Sequence, residues 1–323
     1  MSIDGETAMT DRHHSQSAWG CNPPAPATVS PEAQRALASL PDAAGPADLV
    51  AHRALCAQVQ RELGAAQMAR HGVRMSEDEL AGVPVRIFTP AAPAAKGVLL
   101  NLHGGGFIVD AGSVTENVPI AAYTGMTVVA ARYRLAPEHT FPAAVDDAEA
   151  VYRALLSRHG AQRLALYGTS AGACLCAQLV IRLRERSVTL PRALGFFTGT
   201  ADLSRRGDSE FFFRPAPERL DQTAQFFEYV AASDRNSPQV SPMFADLRGL
   251  PPTLCLAGTR DFMLSQTALF HQALLAASVE ARLELFEAMP HAHWIFLDLP
   301  ESEQAFRTMA RFFTFHLRAA AGR

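Results

Sequence analysis

Short apolar runs alternate with segments of helical periodicity along most of the chain. Seven runs predict strands, and the central ones read as unbroken apolar runs, as in strands that are buried on both faces of a sheet. They lie at 83–88, 98–102, 127–131, 163–167, 193–197, 253–257 and 282–286. Helical spacing of apolar residues separates them, at 143–157, 171–185, 266–277 and 302–317. This alternation predicts an α/β fold, with a mostly parallel central sheet and helices on both faces.

Two regions depart from the alternation. Residues 1–28 show no period and predict a mobile arm;. Two helices follow, one beginning at Ser30 and Pro31 and one over 46–70;. The segment 203–233 carries phenylalanines among charged residues and interrupts the alternation later in the chain. Because ligands of open α/β sheets bind at the carboxyl ends of strands, we expect this segment to cover that end of the sheet. The alternative is a surface insertion with a small core of its own.

Composition excludes several classes of protein. The 323 residues are 48% hydrophobic, enough for a large core, and a net charge of −3 offers no basic surface for nucleic acid;. The five cysteines contain no C-x-x-C pair, so they predict neither a zinc site nor a disulfide framework;. The polar N-terminus lacks the features of a signal peptide, and no run approaches the ~18 apolar residues of a membrane span. We expect a cytoplasmic protein without a membrane anchor or a nucleic-acid partner.

Residues 168–172 read GTSAG, which has the form G-x-S-x-G. An apolar strand precedes this string and a helix follows it, so Ser170 is predicted to lie on a tight turn at the end of a strand. The turn aims the positive end of the next helix dipole at the serine hydroxyl. Ser170 is therefore the candidate nucleophile.

Residues 103–106 read HGGG, directly after the predicted strand at 98–102. Attack on an ester carbonyl creates a negative oxygen that fixed N–H groups stabilise. We expect Gly104 and Gly105 to donate from this loop, and Ala171 to donate from the serine turn. The phosphate-binding strings G-x-G-x-x-G and G-K-[ST] are missing, which disfavours a nucleotide-binding loop. Together the two strings are typical of esterases and lipases.

A serine hydroxyl is a poor nucleophile near neutral pH and needs a histidine to take its proton. On this type of fold the chain order is serine, acid, histidine. His271 and His316 fall within helical patterns, whereas His291 stands in the loop after the strand at 282–286. We favour His291 as the base over His293, and no carboxylate motif beside the pair predicts a metal site.

The acid is expected where a neighbouring strand ends. The apolar strand at 253–257 leads directly to Asp261. A carboxylate there would hold the imidazole in one tautomer and stabilise the imidazolium that forms during turnover. Asp234, Asp246 and Asp298 are the alternatives, and none of them follows a strand so directly.

Further strings accompany these residues, namely YRLAPE at 133–138, FPAA at 141–144, GLPP at 249–252 and MPH at 289–291. With them, the chain over roughly 80–318 resembles the bacterial hormone-sensitive-lipase-like carboxylesterases, a family of α/β hydrolases. The resemblance implies a nucleophile at Ser170, an acid at Asp261 and a base at His291, with oxyanion donors at Gly104, Gly105 and Ala171. It also implies a helical cap formed by 29–80 with 203–233, and an α/β-hydrolase catalytic domain formed by 81–202 with 234–323.

These features predict a serine carboxylesterase that hydrolyses short- to medium-chain esters through an acyl-enzyme, without a cofactor or metal. Thr169 stands where many members of the family carry Asp, in a form that resembles the branch with lactone hydrolases and acetyl hydrolases. A lactonase, deacetylase or acyltransferase with the same residues is therefore the alternative, and a non-catalytic receptor on this fold is a remote one. The partner is expected to be a small ester, and the family suggests a homodimer. Aromatic residues are expected to bind the substrate, namely Phe107, Phe211, Phe212 and Phe226.

Overall fold

The computed structural model describes residues 24–40, 48–93, 97–213 and 228–318 of the chain. Eight strands form one sheet in the order β1-β2-β4-β3-β5-β6-β7-β8. Strand β2 pairs antiparallel with both of its neighbours, and all other pairings are parallel. The predicted α/β fold with a mostly parallel sheet is confirmed. The strands are β1 (Val73–Leu80), β2 (Val83–Pro90), β3 (Val98–Leu102), β4 (Thr127–Ala131), β5 (Leu164–Thr169), β6 (Leu194–Phe197), β7 (Thr253–Gly258) and β8 (Ala281–Phe286).

Helices cover both faces of this sheet. They are α1 (Pro31–Ser39), α2 (Leu49–His71), α3 (Asn117–Thr124), α4 (Ala143–His159), α5 (Ala171–Glu185), α6 (Ser209–Phe212), α7 (Leu264–Ala276), α8 (His293–Phe296) and α9 (Pro300–Arg318). One apolar core lies between the sheet and α4, α5 and α7, and a second lies between the sheet and α1, α3 and α9. The valine and leucines of β3 point alternately into the two cores, which explains why that strand is apolar except at Asn101;.

The N-terminal helices begin at side chains that cap them. The Ser30 hydroxyl accepts a hydrogen bond from the Ala33 amide at 3.0 Å, and Pro31 occupies the first helical position, as predicted;. The backbone N–H and hydroxyl of Ser30 also donate to the two carboxylate oxygens of Glu301, at 2.7 and 2.9 Å. Helix α1 is thereby fixed to the start of α9. Within the described ranges, no helix is long and apolar enough to cross a membrane.

Strand β1 and helix α3 were not among the predicted elements. The six interior residues of β1 are exposed, because the strand lies at the edge of the sheet. The apolar and polar alternation that marks a half-buried strand is therefore missing from its sequence. Helix α3 is buried on nearly all sides, so it lacks the polar face that marks an amphipathic helix;.

The connection between β5 and α5 brings the helix unusually close to β3. A Cβ atom at Gly172 would lie 1.9 Å from the carbonyl oxygen of Leu102, closer than any side chain allows. The second glycine of the G-x-S-x-G string thus permits the first turn of α5 to pack on the end of β3. This packing places the start of α5 beside the loop that follows β3.

Candidate active site

Ser170 lies between β5 and α5, at the carboxyl edge of the sheet. Its backbone has φ 59° and ψ −120°, outside the regions that L-residues usually adopt;. Such strain costs of order 1–3 kcal/mol and is found mostly at functional sites. The Ser170 amide donates to the carbonyl of Phe197 at the end of β6, at 2.9 Å, which fixes the turn to the neighbouring strand. The structure therefore has the strained serine turn that the sequence predicts, with Ser170 itself half-buried.

The glycine loop after β3 lies directly against this turn. A Cβ atom at Gly104 would be 3.3 Å from the Ser170 Cβ and 2.7 Å from the Thr169 carbonyl oxygen. The amides of Gly104, Gly105 and Ala171 donate to no acceptor in the described part of the chain. Three N–H groups beside the serine turn are thus available to an oxygen of a bound substrate.

Side chains around the loop hold it in place. The Tyr133 hydroxyl donates to the His103 carbonyl at 2.6 Å, and the two rings stack with their centroids 4.2 Å apart. From α2, the Arg53 Nε donates to the carbonyl of Ile108 at 2.7 Å. His103 is buried, and its Nδ1 lies 2.9 Å from the Gly104 carbonyl. The histidine of the HGGG string is therefore part of the support of the loop.

Replacement of Gly104 by alanine tests the importance of this close approach. The added methyl group would meet the Thr169 carbonyl at 2.7 Å and push the loop away from Ser170. We expect kcat to fall by about 10²-fold, since a displacement of this size misaligns the donors with the reacting oxygen. Steady-state hydrolysis of an aryl ester measures the loss.

Gly97→Ala is the matched control for Gly104→Ala. Its methyl group would also make a contact of 2.8 Å, but with the flexible ends of Leu317 and Met126, at the opposite end of β3. This variant should keep its kcat. Equal losses of activity in the two variants would mean that the effect arises from general destabilisation of the fold.

Asp261 and His291 follow β7 and β8 and are in direct contact. The His291 Nδ1 lies 2.8 Å from the Asp261 Oδ1. Asp261 is fully buried, and the same oxygen accepts the Met263 amide at 2.8 Å. Because the carboxylate is an acceptor, the hydrogen of the imidazole resides on Nδ1, and Nε2 is left as the basic nitrogen.

Sequence reasoning missed one member of this cluster, Thr198. Its hydroxyl donates to the Asp261 Oδ2 and lies 3.2 Å from the His291 Nδ1. The residue has φ 45° and directly follows β6, the strand between those that lead to Ser170 and Asp261. Its position directly after the predicted strand at 193–197 is the sequence signal that could have identified it as a site residue. Thr198 satisfies the second oxygen of a carboxylate that has no access to water.

The competing candidates lie in other surroundings. His293 is fully buried at the start of α8, and burial lowers its pKa to about 4. Asp246 pairs with Arg248, and the exposed Asp298 pairs with Arg70. Asp234 is exposed and accepts the amide of Asn236. In the described residues, no three His, Cys, Asp or Glu side chains are grouped so that they could hold a metal ion.

The four phenylalanines predicted to bind substrate have different positions. Phe107 has no exposed surface and stacks on Tyr229 with a centroid distance of 3.7 Å. Its φ of 66° turns the side chain into the core, so the prediction of a substrate contact is corrected there. Phe211 and Phe212 are 48% and 58% exposed in α6. Phe226 lies outside the described residues.

The chain is similar to several known proteins of this fold. A family model of the alpha/beta hydrolase fold matches residues 99–295. An acetyl-hydrolase of Streptomyces hygroscopicus is 35% identical over 232 residues, which cover 69% of this chain and 76% of that protein. An esterase of Acinetobacter venetianus is 30% identical over 252 residues, which cover 75% of this chain and 82% of that protein.

Solved structures agree with these matches. The crystal structure of an esterase called E25 has a TM-score of 0.81 at 30% identity, with 98% of this chain and 99% of that chain covered. An esterase from the bacterial hormone-sensitive lipase family has a TM-score of 0.77 at 28% identity, with 89% of this chain and 99% of that chain covered. The fold and the serine turn thus define an α/β hydrolase.

Within that class, the chain belongs to the hormone-sensitive-lipase-like carboxylesterases, as the sequence motifs indicated. Its activity is the hydrolysis of carboxylic esters.

Proposed function

We propose that Ser170 is the nucleophile, His291 the general base and Asp261 the acid that orients it. The observation that carries this proposal is the 2.8 Å contact between His291 and Asp261, at the same sheet edge as the strained serine turn. The Ser170 Oγ attacks the ester carbonyl carbon while its proton passes to Nε2 of His291. The negative oxygen of the tetrahedral intermediate binds to amides beside the turn, those of Gly104, Gly105 and Ala171.

The intermediate collapses when the bond between the carbonyl carbon and the alcohol oxygen breaks. The imidazolium of His291 gives its proton to the leaving alcohol, and the acyl group stays on Ser170. His291 then takes a proton from water, whose oxygen attacks the acyl carbon. The same imidazolium finally returns its proton to the Ser170 oxygen, and the acid is released. Two hydrogen bonds hold the carboxylate of Asp261 beneath this imidazolium, one from Thr198 and one from the Met263 amide.

We further propose that the substrates carry short acyl groups. The support comes from relatives whose names specify the acetyl group. The acetyl-hydrolase of Streptomyces hygroscopicus is one, and an ethyl acetate hydrolase of Pseudomonas putida, 31% identical over 233 residues, is another. Residues 29–80 with 203–233 form the proposed cap, of which 41–47 and 214–227 lie outside the described ranges, whereas Val73–Leu80 is strand β1 of the central sheet. The homodimer and the cytoplasmic location stay predictions.

A panel of p-nitrophenyl esters tests the chain length. We expect the acetate and butyrate to exceed the octanoate by about tenfold or more in kcat/KM, because extra methylenes that find no pocket lose binding in the transition state. The Ser170→Ala enzyme gives the background rate of each ester. A γ-lactone and an acetylated amine belong in the same panel, and faster turnover of either one, or of the octanoate, would contradict the proposed substrate class.

A further inference from the structure

A buried carboxyl group that takes no part in these steps lies beneath the site. Glu116, at the start of α3, has no exposed surface. Its Oε1 accepts a hydrogen bond from the Thr169 hydroxyl and another from the Trp294 Nε1, the latter at 3.0 Å. Its Oε2 accepts from the Asn101 Nδ2 at 3.2 Å. Each of the three partners is a donor, so the cluster is built around an acceptor with two oxygens.

Each donor stands next to a different part of the active site. Thr169 immediately precedes Ser170 in the chain. Trp294 belongs to α8, the short helix that follows the His291 loop. Asn101 lies in β3, just before the glycine loop. One carboxyl group thus connects the serine turn, the histidine loop and the strand that leads to the oxyanion donors.

A second layer of hydrogen bonds fixes the orientation of Asn101. The Asn117 Nδ2 donates to the Asn101 Oδ1 at 3.0 Å and to the Ser113 carbonyl at 2.6 Å. The Tyr167 hydroxyl donates to the Asn117 Oδ1. If the Asn101 amide were flipped, its N–H group would therefore lie against the N–H group of Asn117. The N–H group of Asn101 has to point at Glu116, which makes the position specific for an oxygen acceptor.

We propose that Glu116 is a positioning residue, which holds the Ser170 turn and the His291 loop at a fixed separation through Thr169 and Trp294. This inference rests on the catalytic roles proposed above. Glu116 touches no reacting atom, so its effect reaches the chemistry only through the two residues that it binds. A small shift of either one changes the alignment of the hydroxyl with the imidazole, on which proton transfer depends.

The ionisation of Glu116 is coupled to its surroundings. Burial raises the pKa of its carboxyl group to about 7, although the hydrogen bonds that it accepts act in the opposite direction;. Among the described residues, three other titratable groups interact with it. The carboxylate of Asp110, in the loop after β3, raises the pKa further, and the hydroxyl of Tyr167 (β5) and the thiol of Cys176 (α5) have pKa values raised by their own burial.

The raised pKa predicts how the free energy of unfolding depends on pH. In the unfolded chain Glu116 loses its proton near its ordinary pKa of 4.5, whereas the folded protein keeps that proton up to about pH 7. Between these values the folded state binds more protons, so the contribution of Glu116 to stability is fully present below pH 4.5. It falls as the pH rises through about 7. The carboxylate formed there accepts the three hydrogen bonds most strongly.

The Glu116→Gln variant separates the positioning role of this residue from its contribution to stability. The amide keeps the size of the side chain and one acceptor, but its N–H group meets the N–H of Asn101. At about pH 8.5 we expect kcat to fall by about tenfold, with KM within about twofold of the parent value. A tenfold loss corresponds to the removal of one charge-assisted hydrogen bond. The ratio of the parent kcat to the variant kcat should shrink toward one as the pH falls below 7, because the parent residue is then also uncharged. The fall in unfolding free energy with pH should be smaller in this variant.

The donor side of the same contact gives an independent test. Thr169→Val removes the hydroxyl group that Glu116 accepts from and should lower kcat in the same way, whereas Thr169→Ser retains the hydroxyl and should restore it. The two Thr169 variants also test the proposed positioning role if the Glu116→Gln protein fails to fold.

Glu149→Gln is the matched control, since Glu149 is a buried carboxylate of α4 that binds Arg153 and Arg186. We expect this control to lose stability while its kcat stays unchanged.

Two results would overturn the inference. The first is a Glu116→Gln enzyme that is less stable but keeps the parent kcat at every pH, which would leave Glu116 a purely structural role. The second is a Thr169→Val enzyme as active as Thr169→Ser. The Ser170→Ala enzyme distinguishes this failure from a failure of the proposed function. If Ser170→Ala is inactive, the catalytic roles stand and only the positioning role of Glu116 is wrong. If Ser170→Ala is active, the catalytic roles themselves are wrong.

Discussion

Ser170→Ala should reduce kcat for aryl esters by about 10⁶-fold, to a residual rate that the oxyanion donors and substrate binding support without a nucleophile. Alanine keeps the Cβ atom of Ser170 and removes only the hydroxyl, so the fold of the turn should persist. Steady-state hydrolysis measures the rate. Intact-mass detection of covalent labelling by a serine-directed phosphonate measures the loss of the reactive hydroxyl.

Ser157→Ala is a suitable control, because Ser157 is exposed on α4. It should keep full activity and label like the parent enzyme. Labelling of the Ser170→Ala protein, or turnover above about one hundredth of the parent rate, would falsify the assignment of the nucleophile.

Replacement of the acid should have the second largest effect. Asp261→Asn is expected to lower kcat by about 10⁴-fold with little change in KM, because an amide N–H facing Nδ1 favours the wrong imidazole tautomer. The shape of the side chain is unchanged, and in this orientation the amide oxygen takes the place of Oδ2 and still accepts the Thr198 hydroxyl, while the Met263 amide loses its acceptor. The ratio of kcat to KM on an aryl butyrate, with circular dichroism to verify the fold, measures the loss.

Asp298→Asn tests one of the alternative acids. Asp298 has an 87% exposed side chain and pairs with Arg70, so its removal should leave kcat unchanged;. An Asp261→Asn enzyme with more than about a tenth of the parent kcat would show that His291 needs no carboxylate partner at this position.

The sequence predicted the contact between Asp261 and His291 because apolar patterns mark where strands end: β7 is an apolar run, and β8 alternates apolar with charged residues;. Parallel strands place their carboxyl ends at one edge, so residues that follow β7 and β8 lie close together even though 30 positions separate them;. The G-x-S-x-G and HGGG strings carry similar local information, since a strained turn and a close backbone approach each require particular residues.

Other parts of the site depend on facts that no local pattern contains. Thr198 is important because β6 lies between β5 and β7, an order that emerges only from the assembled sheet. Glu116 has the sequence appearance of a surface residue, and only the donors brought to it by three distant segments make it a buried acceptor. Phe107 follows three glycines, and the direction of its side chain is decided by a positive φ that aromatic residues seldom adopt;.

The connection between Ser30 and Glu301 spans 271 positions of the chain. Translation proceeds from the N-terminus, so the strand and helix around the serine leave the ribosome well before β8 and the imidazole that follows it. With the catalytic roles proposed above, a nascent polypeptide therefore carries a hydroxyl group with no base to activate it, and esterase activity arises only when the last strand docks.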